Sequence, residues 1–219
     1  MYNLTKNSRR ATQDIDFDFI KYSIDEESVK LFIEKMNLIN DGIIASINGS
    51  VEQLHQEDYQ GVRVYLLLTD NEDTKLRLKL DIGVHTYSKI EQEKLLFSFG
   101  NKGKTISLKV NPCEQIFAEK LLSLGRFGPI STRYKDLYDL YFLITAGSLK
   151  SEKINDYLCQ FLSTSKKQPN NISDLVDVVV ETLNDKNYAK EASQPASKWL
   201  DVDYEFLKET IISYIVKLH

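Results

Sequence analysis

The chain has 219 residues, 42% hydrophobic and 27% charged, with a formal net charge of −4. These are the proportions of an ordinary globular protein, long enough for one large or two small domains with proper cores. The acidic balance excludes an overall electrostatic grip on nucleic acid and leaves that role to a local patch such as Arg77, Lys79, Lys102, Lys104 and Lys109.

The N-terminal "MYNLTKNSRR" lacks the apolar core of a signal peptide, and no stretch approaches a membrane span, so a reducing cytoplasm is the expected location. In "SRRATQDIDFDFI" the residues Asp14, Asp16 and Asp18 alternate with Ile15, Phe17 and Phe19. A period of two predicts a strand with one face in the core and the other lined with carboxylates. Like charges on one strand face repel, and a divalent cation is one way to offset that cost. The competing reading is an exposed acidic edge strand.

Residues 27–39 space Val29, Phe32, Ile33 and Met36 at helical intervals, and "DGIIASINGSVEQL" reads as a turn and a short strand. Residues 61–69 and 75–84 predict two strands joined by the polar turn "DNED". In the second, Leu76, Leu78, Leu80 and Ile82 share one face, and Lys75, Arg77, Lys79 and Asp81 the other. A hairpin is expected around 95–110. A helix then starts with Asn111 as cap and Pro112 in its first turn, and stops at Gly125. Another helix stops at Gly147, and three more cover 150–163, 171–183 and 202–217, separated by "STSKKQPNN" and "DKNYAKEASQPAS". The fold class is therefore α+β: an α+β core over 1–110 and a helical region over 111–219, of which 150–219 forms a bundle.

Cys113 and Cys159 are far apart and form no CxxC pair, so neither a disulfide framework nor a zinc site is suggested, and the isolated His55, His85 and His219 also weaken any zinc reading. If the strands carrying Asp14, Asp16 and Asp81 are neighbours, three carboxylates converge, a set suited to Mg²⁺ or Mn²⁺ with open positions for substrate phosphate. Two such metals activate a hydroxyl and stabilise a leaving pyrophosphate. In the helical region Lys120, Arg133, Lys135, Asp136 and Asp139 form a second cluster. Its cations suit a triphosphate, and the plainer alternative is a set of surface salt bridges.

The pieces "RATQDIDFDF", "EDYQGVRVYLLL", "KLDIGVHT", "NPCEQIFAEKLLSLGR" and "STRYKDLYDLYFL", in this order and spacing, resemble the AbiEii/AbiGii abortive-infection toxins, nucleotidyltransferases of the polymerase β-like superfamily. The resemblance covers roughly residues 4–146. It implies that Asp14 and Asp16 bind metal, with Arg10 and Thr12 beside them contacting nucleotide, and that Asp81 is the third carboxylate. It further implies that Lys120 contacts nucleotide phosphates, that Asp136 is the family's second-block acid, and that Lys135 assists. The first two helices of the helical region would then contribute to the active site. The implied chemistry is Mg²⁺- or Mn²⁺-dependent transfer from an NTP to an acceptor, for some relatives tRNA. The implied setting is a type IV-like toxin–antitoxin system of phage defence, with an antitoxin encoded nearby; oligomeric state is left open.

Two features depart from the pattern. The superfamily places a Gly-Gly-Ser/Thr block before the first aspartate, whereas no glycine precedes Asp14 in this sequence. The expectation is a sheet lacking its N-terminal strand and glycine block, from an internal start or a shortened homologue. In addition, "DIGVHT" stands where many relatives have Gly-Asp after the third aspartate. The alternative function is a catalytically weakened or inactive homologue acting as a binding module. A DxD glycosyltransferase is disfavoured, because no nucleotide-sugar βαβ region precedes the motif.

Overall fold

The computed structural model describes residues 14–19, 22–39, 42–56, 59–84, 91–99, 104–164 and 169–218. The chain separates into two compact units, one spanning Ala11–Ile90 and one containing Glu91–His219.

The first unit contains β1 (Asp14–Phe19), α1 (Glu26–Asn37), β2 (Ile43–Ile47), β3 (Glu52–Gln56), β4 (Tyr59–Asp70) and β5 (Lys75–Val84). Its sheet has the order β1-β5-β4-β2, with β3 also paired to β4. β1 runs parallel to β5, and the other pairs are antiparallel. The α+β class expected from the sequence is thus present, with a mixed sheet. The single short strand expected within 41–54 is instead two strands, which pair with the two halves of β4. Gly49, at φ +113°, lies in the break between them, where the chain continues in the same direction along one edge of β4.

Helix α1 begins at Asp25, whose carboxylate accepts the Ser28 N–H at 2.8 Å. Val29 and Ile33 then enter a core with Phe19, Ala45, Val62, Val64, Leu80 and Ile82. Phe32 packs edge-on against Phe17 and Phe19, with ring centroids 5.8 and 5.0 Å apart. At the far end of the helix, the Asn37 carboxamide donates to the Ala45 carbonyl at 2.9 Å and accepts the Ala45 N–H at 2.8 Å. Those groups lie on the edge of β2 that faces away from β4, so one side chain occupies bonds that another strand could take.

The β4–β5 connection fixes the register of everything beyond it. Asp70 Oδ1 accepts N–H bonds from Glu72 and Thr74, both at 2.9 Å, and Asp73 takes the left-handed conformation at φ 60°. The ladder closes at Thr69 opposite Lys75 and runs back to place Arg63 opposite Asp81.

The second unit holds the hairpin β6 (Glu93–Phe99) and β7 (Lys104–Val110). It continues with α2 (Cys113–Phe127), α3 (Tyr134–Thr145), α4 (Ser151–Thr164), α5 (Ile172–Asn184), α6 (Lys186–Ala192) and α7 (Tyr204–Ile215). Helix α2 packs against α3, α4 and α5. Its cap position is Pro112 rather than Asn111. Gly125 does not stop it. The helix runs on to Phe127, and Gly128, at φ 55°, ends it. Gly125 serves packing: a Cβ there would sit 2.2 Å from Leu175 Cδ1 of α5. Helix α6 lies in a stretch expected to be a separator. Asp185 starts it by accepting the N–H groups of Asn187 and Tyr188 at 2.9 and 2.8 Å. Tyr138 is fully buried and donates to the Ala192 carbonyl at 3.0 Å, which ties α3 to the end of α6.

Candidate functional site

Helix α1 and the apolar positions occupy one face of the first unit's sheet, and the opposite face carries the charges. Residues paired across adjacent strands share a face, so the register lays these out in rows. Asp16 of β1 is opposite Asp81 of β5, which is opposite Arg63 of β4. One step along, Asp14 is opposite Lys79, which is opposite Tyr65. Asp16 is exposed and Asp81 half-buried. For Asp14 the described feature is its strand position, which puts it in the row beside Asp16.

Of the three carboxylates expected to converge, the register sets Asp16 directly opposite Asp81, and Asp81 has a neighbour that the sequence reading did not single out. Arg63 donates from Nε to Asp81 Oδ1 and from Nη2 to Asp81 Oδ2, each at 2.8 Å. This parallel fork matches guanidinium to carboxylate geometry. The bond to Asp81 raises the Arg63 pKa well above its usual range, outweighing the partial burial that works the other way. The acidic row is thus offset in part by the arginine on the strand beside Asp81, where the sequence reading offered a divalent cation. Counting back along the ladder from Thr69 opposite Lys75 would have found Arg63.

A hard divalent cation suits the oxygen donors of Asp16 and Asp81, since Mg²⁺ is commonly held by one or two carboxylates together with substrate phosphates. The fit carries one condition: both Asp81 oxygens already accept bonds from Arg63. Among the described residues no group of three or more His, Cys, Asp or Glu is arranged to hold a metal.

The helical unit carries its own charged cluster. Lys120 of α2 reaches α3, with Nζ 2.5 Å from Asp136 Oδ1 and 2.9 Å from Asp139 Oδ2. The i, i+3 spacing of Asp136 and Asp139 presents both carboxylates to one ammonium. Burial works to lower the Lys120 pKa, but the charges of Asp136 and Asp139 outweigh it and hold the group above its usual value. These are not the surface salt bridges of the plainer sequence reading, because Asp139 is fully buried and Lys120 and Asp136 are partly buried. Arg133 stands 3.9 Å from the other oxygen of Asp136, and Lys135 is exposed.

Arg10, Thr12, His85, Glu57, Asp58 and Lys102 lie outside the described residues. Of the basic patch, Arg77 and Lys79 fall in the first unit, and Lys104 and Lys109 in the second. Cys113 and Cys159 are free thiols. Among the described residues no helix is long and apolar enough to cross a membrane.

A search of curated proteins returns no match. A family model described as "Nucleotidyl transferase AbiEii toxin, Type IV TA system" matches residues 1–206. That match includes the strand carrying Asp14 and Asp16, the two strands carrying Arg63 and Asp81, and the Lys120 cluster. The chain belongs to the AbiEii family of nucleotidyl transferase toxins of type IV toxin–antitoxin systems.

Proposed function

We propose that this chain transfers a nucleotide from an NTP to an acceptor hydroxyl, using Mg²⁺ or Mn²⁺ on a polymerase β-like core. The observation that carries this reading is the register of Asp16 directly opposite Asp81 on the polar face of two parallel strands. In such a transfer the acceptor oxygen bonds to the α-phosphorus as the bond to the bridging oxygen breaks. Pyrophosphate departs and the hydroxyl proton is released. A bound divalent cation supplies charge stabilisation for the phosphates. The protein's part is to position and to balance charge. Asp14, Asp16 and Asp81 would hold the cation, Asp81 would also help orient the acceptor hydroxyl, and Arg10 and Thr12 would contact the nucleotide. In the helical unit Lys120 would supply positive charge to phosphates, Asp136 would aim its ammonium, and Lys135 would assist.

The acceptor is proposed to be RNA, with the 3′ end of tRNA as first choice, so that transfer stops translation. The setting is cytoplasmic phage defence, with the antitoxin encoded nearby. The test is labelled-nucleotide transfer to bulk tRNA, together with growth arrest on expression, for wild type, Asp16→Asn and Asp14→Ala. Both variants should fold normally, lose transfer and lose toxicity. A folded variant with undiminished toxicity would sink the reading.

One observation supports the alternative of a binding module: the Arg63–Asp81 fork already balances part of the acidic face without a cation. That reading predicts no NTP binding by wild type in calorimetric titration. It also predicts toxicity, if any, that survives Asp16→Asn.

A further inference from the structure

We propose that Arg63 is a displaceable counter-ion, which releases Asp81 when a divalent cation binds and turns its guanidinium to the triphosphate of the incoming nucleotide. This rests on the transferase reading above and adds a nucleotide-binding residue and an order of events to it.

Position makes the exchange feasible. Asp81 lies on β5 between Asp16 of β1 and Arg63 of β4, with all three in register. The backbones are held by the ladders, so only side chains need move. The Arg63 and Asp81 side chains are 30% and 21% exposed, so water and ions reach the fork without unfolding. Charge supplies the drive. A cation drawn to Asp16 and Asp81 arrives beside a guanidinium that spans both Asp81 oxygens, and two positive groups then compete for one carboxylate. The freed guanidinium stays on the polar face, because its strand position allows no other. Its planar donor fork suits phosphate oxygens as well as it suits a carboxylate. Arg63 would thus be neutralised at rest and available as a cation once the metal is in place. Metal and nucleotide binding would be coupled through one side chain.

The experiment uses the full chain and two titrations. Mn²⁺ alone is followed by the electron paramagnetic resonance signal of the free ion, and Mn²⁺ with a non-hydrolysable NTP analogue is followed by calorimetry. The proteins are wild type, Arg63→Gln, Arg63→Lys and Asp81→Asn, each checked for folding by circular dichroism. Arg63→Gln should bind Mn²⁺ alone about tenfold more tightly than wild type and the Mn²⁺–analogue complex about tenfold more weakly, a divergence that lost packing cannot produce. Arg63→Lys keeps the charge without the fork and should fall between the two in both titrations. It carries the test if Arg63→Gln fails to fold. Asp81→Asn should lose Mn²⁺ binding. If Asp81→Asn loses it while the folded Arg63 variants match wild type in both titrations, the role of Arg63 is overturned and the transferase reading stands. If neither wild type nor the Arg63 variants bind Mn²⁺ with or without the analogue, both are overturned.

Discussion

The Lys120 ammonium lies 2.9 Å from a carboxylate oxygen of Asp139, whose side chain has no solvent exposure. An acid at that depth is tolerable only with its counter-ion, because a lone charge would lose its hydration without return. Lys120→Met should therefore destabilise the helical unit by about 3–5 kcal/mol, read from guanidinium unfolding of the full chain. Adding Asp139→Leu to Lys120→Met should restore most of that loss, since pair and penalty leave together. The double variant would be folded yet lack the lysine. Transfer still lost in it assigns Lys120 to chemistry, and transfer recovered with stability assigns it to the fold. The pH sign follows from the raised Lys120 pKa. The pair's stabilisation is complete below the ordinary lysine range, about 10.4, and is lost as pH climbs through the still higher folded value. Wild type should thus lose more stability than the double variant in strongly alkaline buffer.

Asn37 closes the free edge of β2 with two hydrogen bonds to Ala45. Asn37→Ala should cost about 1–3 kcal/mol and expose a pairing edge. Asn37→Asp should cost more, because a carboxylate can accept the Ala45 N–H but cannot donate to its carbonyl. Urea melts would rank the two. Light scattering during refolding should show greater association for the alanine variant than for wild type.

Gly125→Ala sets two effects against each other. Helix propensity favours alanine by about 1 kcal/mol. The new methyl would stand 2.2 Å from Leu175 Cδ1, inside a close approach of α2 and α5, where overpacking costs about 1–3 kcal/mol. The clash should win, and the variant should melt below wild type. Pairing it with Leu175→Val should recover stability relative to Gly125→Ala alone. A higher melting temperature for Gly125→Ala by itself would show that the helices separate without penalty.

Asp25 provides a site-specific pH check. Hydrogen bonds from the Ser23 hydroxyl, the Ser28 N–H and the Ser28 hydroxyl, in that order, lower its pKa to about 2. A lowered carboxylate pKa means stabilisation present above the unfolded value and lost as pH falls through the folded one. The α1 cap should accordingly persist through mild acid and weaken near pH 2. Carboxyl carbon shifts followed by NMR would give the midpoint. A midpoint near the ordinary aspartate value would contradict the cap geometry.

The sheet was readable where alternation was strict. "KLRLKLDIGV" put Leu80 and Ile82 on the core face and Asp81 on the other, and both core residues are fully buried. Arg63 was hidden because register depends on the loop. Reading the turn as "DNED" shifts the ladder by one residue, and a shift of one exchanges the faces. The actual loop closes a residue later, through two bonds to Asp70 that no periodicity reports. Gly125 misled for a related reason, since a glycine near a helix end reads as a stop, while close packing of two helices asks for the same residue. Helix α6 is only seven residues long, too short to establish a period beside its polar neighbours. Lys120, Asp136 and Asp139 were visible as a cluster, but depth of burial is set by packing partners that lie far along the chain.

The pairing of β1 with β5 also bears on when the protein becomes competent. Asp16 and Asp81 are separated by roughly 65 residues, and parallel strands cannot be joined by a tight turn, so their ladder forms only after a long loop has closed. Hairpin β4–β5 and the cover of α1 are local and can form first. During synthesis the strand bearing Asp16 leaves the ribosome early and must wait for β5. The cell making this protein therefore holds nascent chains in which the two carboxylates have not yet met.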